Sequence, residues 1–167
     1  MPDGLLSVLM LAAALGSGMM AGLYFVFSVA VMSALGRLPP AGGIAAMQSI
    51  NRVILNPWFF LLFFGTAAVC LALAIGAVLA WQAPASATTM AGSLLYLAGN
   101  LLVTVLRNVP LNKALAAVDP ASGEAAHVWA CYLDVWTKWN HVRTLACLLA
   151  AGLFTFALQV RGDLSHG

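Results

Sequence analysis

The sequence predicts an all-α protein: a four-helix antiparallel transmembrane bundle with a short interfacial helix between helices 1 and 2. Three observations carry this. Hydrophobic residues make up 63% of the chain and charged residues 7%, against about 45–50% apolar content in soluble domains. Mean hydropathy is +0.98. Charge is also excluded from long stretches: Leu5 to Gly36 and Val53 to Leu106 carry none, and Val142 to Val160 carries only Arg143. About 20 helical residues cross a hydrocarbon layer about 30 Å thick. The first stretch therefore spans once, the second twice with a turn between, and the third once. Expected spans are residues 5–35, 57–81, 88–108 and 140–160, within one integral membrane domain covering residues 1–167.

The chain opens Met1-Pro2-Asp3-Gly4, without the basic n-region of a cleavable leader, and its apolar run is too long for an h-region. Helix 1 ends at Pro39-Pro40. Its small residues Ala14, Gly18 and Gly22 recur every fourth position, a stripe expected to sit against a neighbouring helix. From Ala41 to Leu55, Ile44, Met47, Ile50 and Ile54 share one side while Gln48 and Arg52 lie elsewhere, the pattern of a helix lying at a membrane surface. Asn56-Pro57 starts helix 2, with proline at the first helical position. Ala68, Ala72, Gly76 and Ala80 form a second small-residue stripe. The turn Ala83-Pro84-Ala85-Ser86 leads to helix 3, which Pro110 interrupts after Asn108. Helix 4 begins in the amphipathic stretch after Ser122, and its polar first half is expected to project from the membrane.

Basic residues fix the expected orientation. Arg37 and Arg52 fall between helices 1 and 2, and Arg107, Lys113 and Lys138 between helices 3 and 4, while Gln82 to Thr89 has no Lys or Arg. The positive-inside rule then puts both basic loops in the cytoplasm and both termini outside. Trp58 and Trp81 are separated by roughly 34 Å of helix at 1.5 Å per residue, which suits anchors at the two interfaces. Such basic loops face anionic lipid rather than nucleic acid.

Polar groups inside so apolar a chain are costly and mark candidate function. The segment Trp136-Thr-Lys138-Trp139-Asn140-His141-Val-Arg143-Thr144 concentrates them. Asn51, Arg52 and Asn56 start helix 2 at the same level, and Arg107, Asn108 and Asn112 end helix 3 there. Asn100, Thr104 and Asn108 form one stripe on helix 3, and Trp136, Asn140, Thr144 and Cys147 another on helix 4. The simplest arrangement has both stripes facing one cavity, open toward the cytoplasm. Plainer readings stand beside this one. Facing asparagines serve as interhelical hydrogen bonds, Asn56 as a helix N-cap, and Asp134 with Lys138 as a surface ion pair. Arg37, Lys113 and Lys138 sit beside solvent or lipid phosphate, and His141 and Arg143 divide evenly between structural and functional roles.

Three motifs together resemble the anthrone oxygenase family of small four-helix membrane proteins: Asn51-Arg-Val-Ile-Leu-Asn56-Pro57, Asn108-Val-Pro110-Leu-Asn112-Lys-Ala-Leu, and Trp136-Thr-Lys-Trp139-Asn140-His141-Val-Arg143-Thr. The Gly22-Leu-Tyr24-Phe25 segment extends the resemblance to helix 1. Fungal members oxidise anthrones to anthraquinones with molecular oxygen. The resemblance to bacterial members implies a bacterial inner membrane and a lipophilic phenolic or polyketide-like substrate. Removing the acidic C–H of an anthrone gives a carbanion able to reduce oxygen without a cofactor. Such a site needs a base, for which His141 is the expected residue. It needs oxyanion donors, expected from Asn108, Asn112, Asn140 and Arg143. It also needs flat walls, expected from Tyr24, Phe25, Trp136 and Trp139, with Asn56, Asn100 and Thr104 as further substrate contacts.

No cofactor and no metal are expected. The apolar spans lack the carboxylates of a di-iron bundle. His127 and His141 lie on one helix about 21 Å apart, too far to hold one haem, and no nucleotide-binding glycine motif occurs. The expected partners are the lipid bilayer and a lipophilic aromatic molecule, with a homo-oligomer compatible. The alternative is a non-catalytic membrane protein that binds a lipophilic ligand, transports, or serves as an accessory subunit. Proton-coupled transport usually needs an intramembrane carboxylate, and the spans have none.

Overall fold

A computed structural model describes residues 3–82 and 85–166, and these are helical with no strand among them. Four helices are long and apolar enough to cross a membrane: α1 (Gly4–Leu35), α3 (Pro57–Leu79), α4 (Ala85–Ala116) and the last, α5 (Ala125–His166). Between α1 and α3 lies the short α2 (Pro40–Val53). Ala83 and Pro84 of the expected turn lie outside the described residues.

Each boundary has a local cause. Asn56 caps α3: its Oδ1 accepts from the backbone N–H of Trp58 and Phe59, both at 3.1 Å, and Pro57 follows at the first position. α4 runs past Pro110 rather than stopping at Asn108. Residues Leu95–Leu102 and Thr104–Asn108 are wound as wider π-helical turns. Pro110 then falls in the first turn of the segment Val109–Ala116, where no backbone N–H is demanded of it. α5 has 42 residues, about 63 Å at 1.5 Å per residue, twice the hydrocarbon thickness. Its opening turns, from Ala125 to Trp136, pack with α2 and with the ends of α1 and α4.

Two hydrophobic clusters divide the molecule. The larger lies among the four long helices and includes Met10, Met20, Tyr24, Phe63, Cys70, Leu73, Tyr96, Cys147 and Phe154. The smaller joins Met32, Ile44, Met47 and Leu115 to Trp129, Tyr132 and Trp136. Gln48 fastens α2 to this second cluster by donating from Nε2 to the carbonyls of Leu115 (2.9 Å) and Val118 (3.0 Å). Gly43 permits the close approach, since a Cβ there would lie 2.7 Å from the Trp129 ring.

The expected small-residue stripes are not the packing faces. Gly18 and Gly22 are exposed, with nothing within 4 Å of a Cβ built on either, and Ala14 is only half-buried. The buried face of α1 is instead Met10, Ala13, Ser17, Met20, Tyr24 and Ser28. Its close-approach residue is Gly16, whose missing Cβ leaves room for Thr66. On α3, Ala68, Ala72 and Ala80 point outward while Phe63, Ala67, Cys70, Leu73 and Ala77 are buried. A helix apolar on every side leaves several stripes equally plausible, and only its neighbours choose one.

Candidate functional site

At the junction of the two clusters lies a pocket of about 100 Å³. α1 contributes Tyr24 and Phe27, α2 contributes Met47, Ile50 and Asn51, and α3 contributes Phe59. α4 brings Thr104, Asn108 and Asn112, and α5 brings Trp136 and Arg143. The positions on α4 recur every fourth residue, and those on α5 (Trp136, Asn140, Arg143, Cys147) every third or fourth, so each set occupies one helix face.

Arg143 dominates the chemistry. It is 5% exposed, and no carboxylate among the described residues pairs with it. Its Nη2 donates to Asn140 Oδ1 and its Nη1 to Thr104 Oγ1 at 3.2 Å. The guanidinium lies 4.1 Å from the Tyr24 ring centroid and 5.4 Å from that of Trp136. Desolvated cation–π contacts supply about 2 kcal/mol each, whereas burying an ion costs several kcal/mol before compensation. Two neutral hydrogen bonds and two ring faces leave the charge under-compensated. Its Nε has no hydrogen-bond partner.

Asn140 holds this cation in place. Its Nδ2 donates to the Tyr24 carbonyl and to Ser28 Oγ, each at 2.6 Å, which leaves Oδ1 facing Arg143. Asn112 Oδ1 is likewise filled: it accepts from Tyr132 Oη (2.8 Å) and Trp136 Nε1 (2.9 Å), fixing the indole as a wall. Asn108 Nδ2 donates to the Trp136 carbonyl at 3.3 Å. Among the described residues, four buried polar atoms on the pocket lining lack a partner of hydrogen-bonding geometry: Tyr24 Oη, Asn51 Nδ2, Asn108 Oδ1 and Arg143 Nε. Buried polar atoms are rarely left so, and their collection around one pocket makes it the candidate site.

Most, but not all, of the expected residues converge here. Tyr24, Thr104, Asn108, Asn112, Trp136 and Arg143 line the pocket, and Asn140 supports it from behind. His141 does not belong to it. It is exposed, in an open groove of about 530 Å³ with Arg37, Asp134 and Lys138 on the other side of α5. One residue turns a helix by about 100°, so the position next to Asn140 leaves the inward face. Phe25 is 55% exposed for the same reason, one position past Tyr24. Trp139 instead receives Arg107, whose guanidinium lies 4.7 Å from its ring centroid. Asn56 is occupied as the cap of α3, with Nδ2 turned to the Val53 and Ile54 carbonyls. Asn100 is fully buried one turn inward of Thr104, and neither its Oδ1 nor its Nδ2 has a partner.

Two contributors escaped the sequence reading. Asn51 was visible only as a polar residue level with the site. Its spacing of four from Met47 and seven from Ile44 places it on the buried side of α2. Tyr132 stacks between Trp129 and Trp136, with centroids at 5.7 and 6.1 Å, and its position four before Trp136 was the available signal.

The model of the anthrone oxygenase family matches residues 58–153, more than half of the chain. The matched region contains Thr104, Asn108, Asn112, Trp136, Asn140 and Arg143, while Tyr24 and Asn51 precede it. No curated protein and no solved structure matches the chain. With four apolar helices of membrane-crossing length and this match across three of them, the chain belongs to the anthrone oxygenase family.

Proposed function

We propose that this protein binds a lipophilic phenolic or polyketide-like substrate as its oxyanion against Arg143 and promotes oxidation by molecular oxygen without a cofactor. The observation that carries the reading is the buried, carboxylate-free arginine on the wall of an aromatic pocket. A ligand bringing its own negative charge completes the compensation that the protein withholds, in a medium where such an interaction is strong. Tyr24 and Trp136 provide flat faces beside the charge. The apolar lining of Leu23, Ile54, Leu55 and Phe59 suits entry from lipid rather than from water.

Among the described residues no histidine or carboxylate lines the pocket, so stabilisation of the ionised substrate takes the place of a protein general base. An anthrone-type ketone loses its ring-flanked C–H proton to solvent as its enolate forms, and Arg143 holds the enolate oxygen. The carbon end of the enolate then reduces dioxygen and forms a C–O bond. Loss of water from the resulting hydroperoxide leaves a carbonyl, so one CH₂ and one O₂ give one C=O and one H₂O. The positive-inside rule places this pocket, at the end bearing the basic loops, on the cytoplasmic side.

The test is oxygen uptake by purified protein in detergent with an anthrone, corrected for autoxidation, alongside direct binding of the same compound. Catalysed uptake that Arg143→Gln removes is the expected result. Wild-type protein that binds the anthrone no better than Arg143→Gln, and leaves oxygen consumption at the autoxidation rate, overturns it.

A further inference from the structure

Resting on the oxyanion reading above, we propose that Asn108, together with Asn51 on α2, recognises a second oxygen function, a neutral hydroxyl. The site thereby selects fused aromatic ligands oxygenated at two separated positions.

The amide of Asn108 is oriented by its surroundings. Among the described residues its side chain bonds to the Trp136 carbonyl at 3.3 Å, and a carbonyl oxygen can only accept, so the amide nitrogen faces it. The end left over is Oδ1, an acceptor, on a side chain that is 1% exposed and lines the pocket. Asn51 presents the opposite need, since its buried Nδ2 is a donor with no partner of hydrogen-bonding geometry among the described residues. A hydroxyl satisfies both at once, donating to Asn108 Oδ1 and accepting from Asn51 Nδ2. Asn112, beside them, already has its Oδ1 filled by Tyr132 and Trp136.

This second point lies away from the charge. Thr104 holds Arg143, and Asn108 follows one turn later on the same helix, a separation of about 5 Å, the pitch of one helical turn. A spacing of that order separates oxygens on different rings of a fused system rather than the two oxygens of one carboxylate. The ionised oxygen meets Arg143, and the neutral hydroxyl meets the asparagines. A site built around a hydroxyl discriminates strongly against the analogue lacking it, because its own buried groups are then left unpaired.

Calorimetric dissociation constants for a naphthol and for the naphthalenediol with its second hydroxyl on the opposite ring test this with wild-type protein, Asn108→Leu and Asn51→Leu. Wild-type protein should prefer the diol by about 10-fold or more, the effect of one buried hydrogen bond whose loss strands its partner. Asn108→Leu should cut the preference to within about twofold. Asn51→Leu should lower it in the same direction and settles the matter where Asn108→Leu fails to bind either compound. Equal wild-type affinities, or a diol preference surviving in a variant that still binds the naphthol, overturn the proposal. Because the readout is binding, failure of the oxidation reading appears separately, as ligand bound without oxygen uptake. A wild-type protein that binds neither compound removes the oxyanion site and this inference together.

Discussion

Arg143 and His141 stand two positions apart on α5 and live in different solvents. The arginine is 5% exposed, bonded to Asn140 and Thr104 and set over two aromatic rings. The histidine lies exposed in a groove with Arg37, Asp134 and Lys138. Two residues rotate a helix by about 200°, enough to move a side chain from the interior of a bundle to its outside. The histidine has the better intrinsic chemistry for proton transfer at neutral pH. The arginine has the better place, because a charge acts most strongly where water is excluded. Position on the helix outranks residue type.

The largest expected effect separates these two directly. Arg143→Gln should lower anthrone-dependent oxygen uptake by about 10²–10³-fold, the usual loss when one oxyanion donor is removed from a buried site. Its melting temperature should hold or rise, because an under-compensated buried charge is removed along with its desolvation cost. A variant that loses activity only in proportion to folded protein makes Arg143 structural and breaks the comparison.

A second pair extends the contrast between faces to α1. Gly16→Leu should destabilise the bundle by about 1–3 kcal/mol or more, because the new side chain enters the space held by Thr66. Gly18→Leu adds atoms where nothing lies within 4 Å and should leave the thermal midpoint unchanged or slightly higher. Equal destabilisation by both would put the buried face of α1 elsewhere.

The pH profile sharpens the same point. With an arginine holding a preformed anion and no protein base, uptake should rise with pH until the substrate itself is ionised, and a more acidic substrate should move the midpoint down. A midpoint fixed near the histidine range of about 6.5 for every substrate would return a titrating imidazole to the mechanism. The smallest effect belongs to the outer face: His141→Ala should keep uptake and melting temperature within about twofold and a few tenths of a kcal/mol, the range of surface substitutions.

Much of this fold was legible in the chain because the relevant signals are local. Pro57 after Asn56 marks the start of α3 and the cap that satisfies it, and the apolar side of Ile44, Met47 and Ile50 marks α2. The candidate site was legible in part. Asn108, Asn112, Asn140 and Arg143 stood out as polar groups in an apolar chain, and all four meet at the pocket or directly behind it. The chain's small-residue stripes misled, because Gly18 and Gly22 are as compatible with packing as Gly16 until a neighbour is present.

The amino-acid sequence by itself determined the class, the four stretches long and apolar enough to cross a membrane, the short helix between the first two and the level at which the polar groups gather. Those follow from hydrophobic length and from the cost of charge in hydrocarbon, which any stretch of chain carries with it. Tertiary structure alone decided which face of each long helix turns inward, and so chose Arg143 over His141, Gly16 over Gly18 and Tyr24 over Phe25. In lipid the outer surface of a helix is as apolar as its buried one. The periodicity that marks an inner face in water is therefore faint here, and only the neighbouring helices fix it.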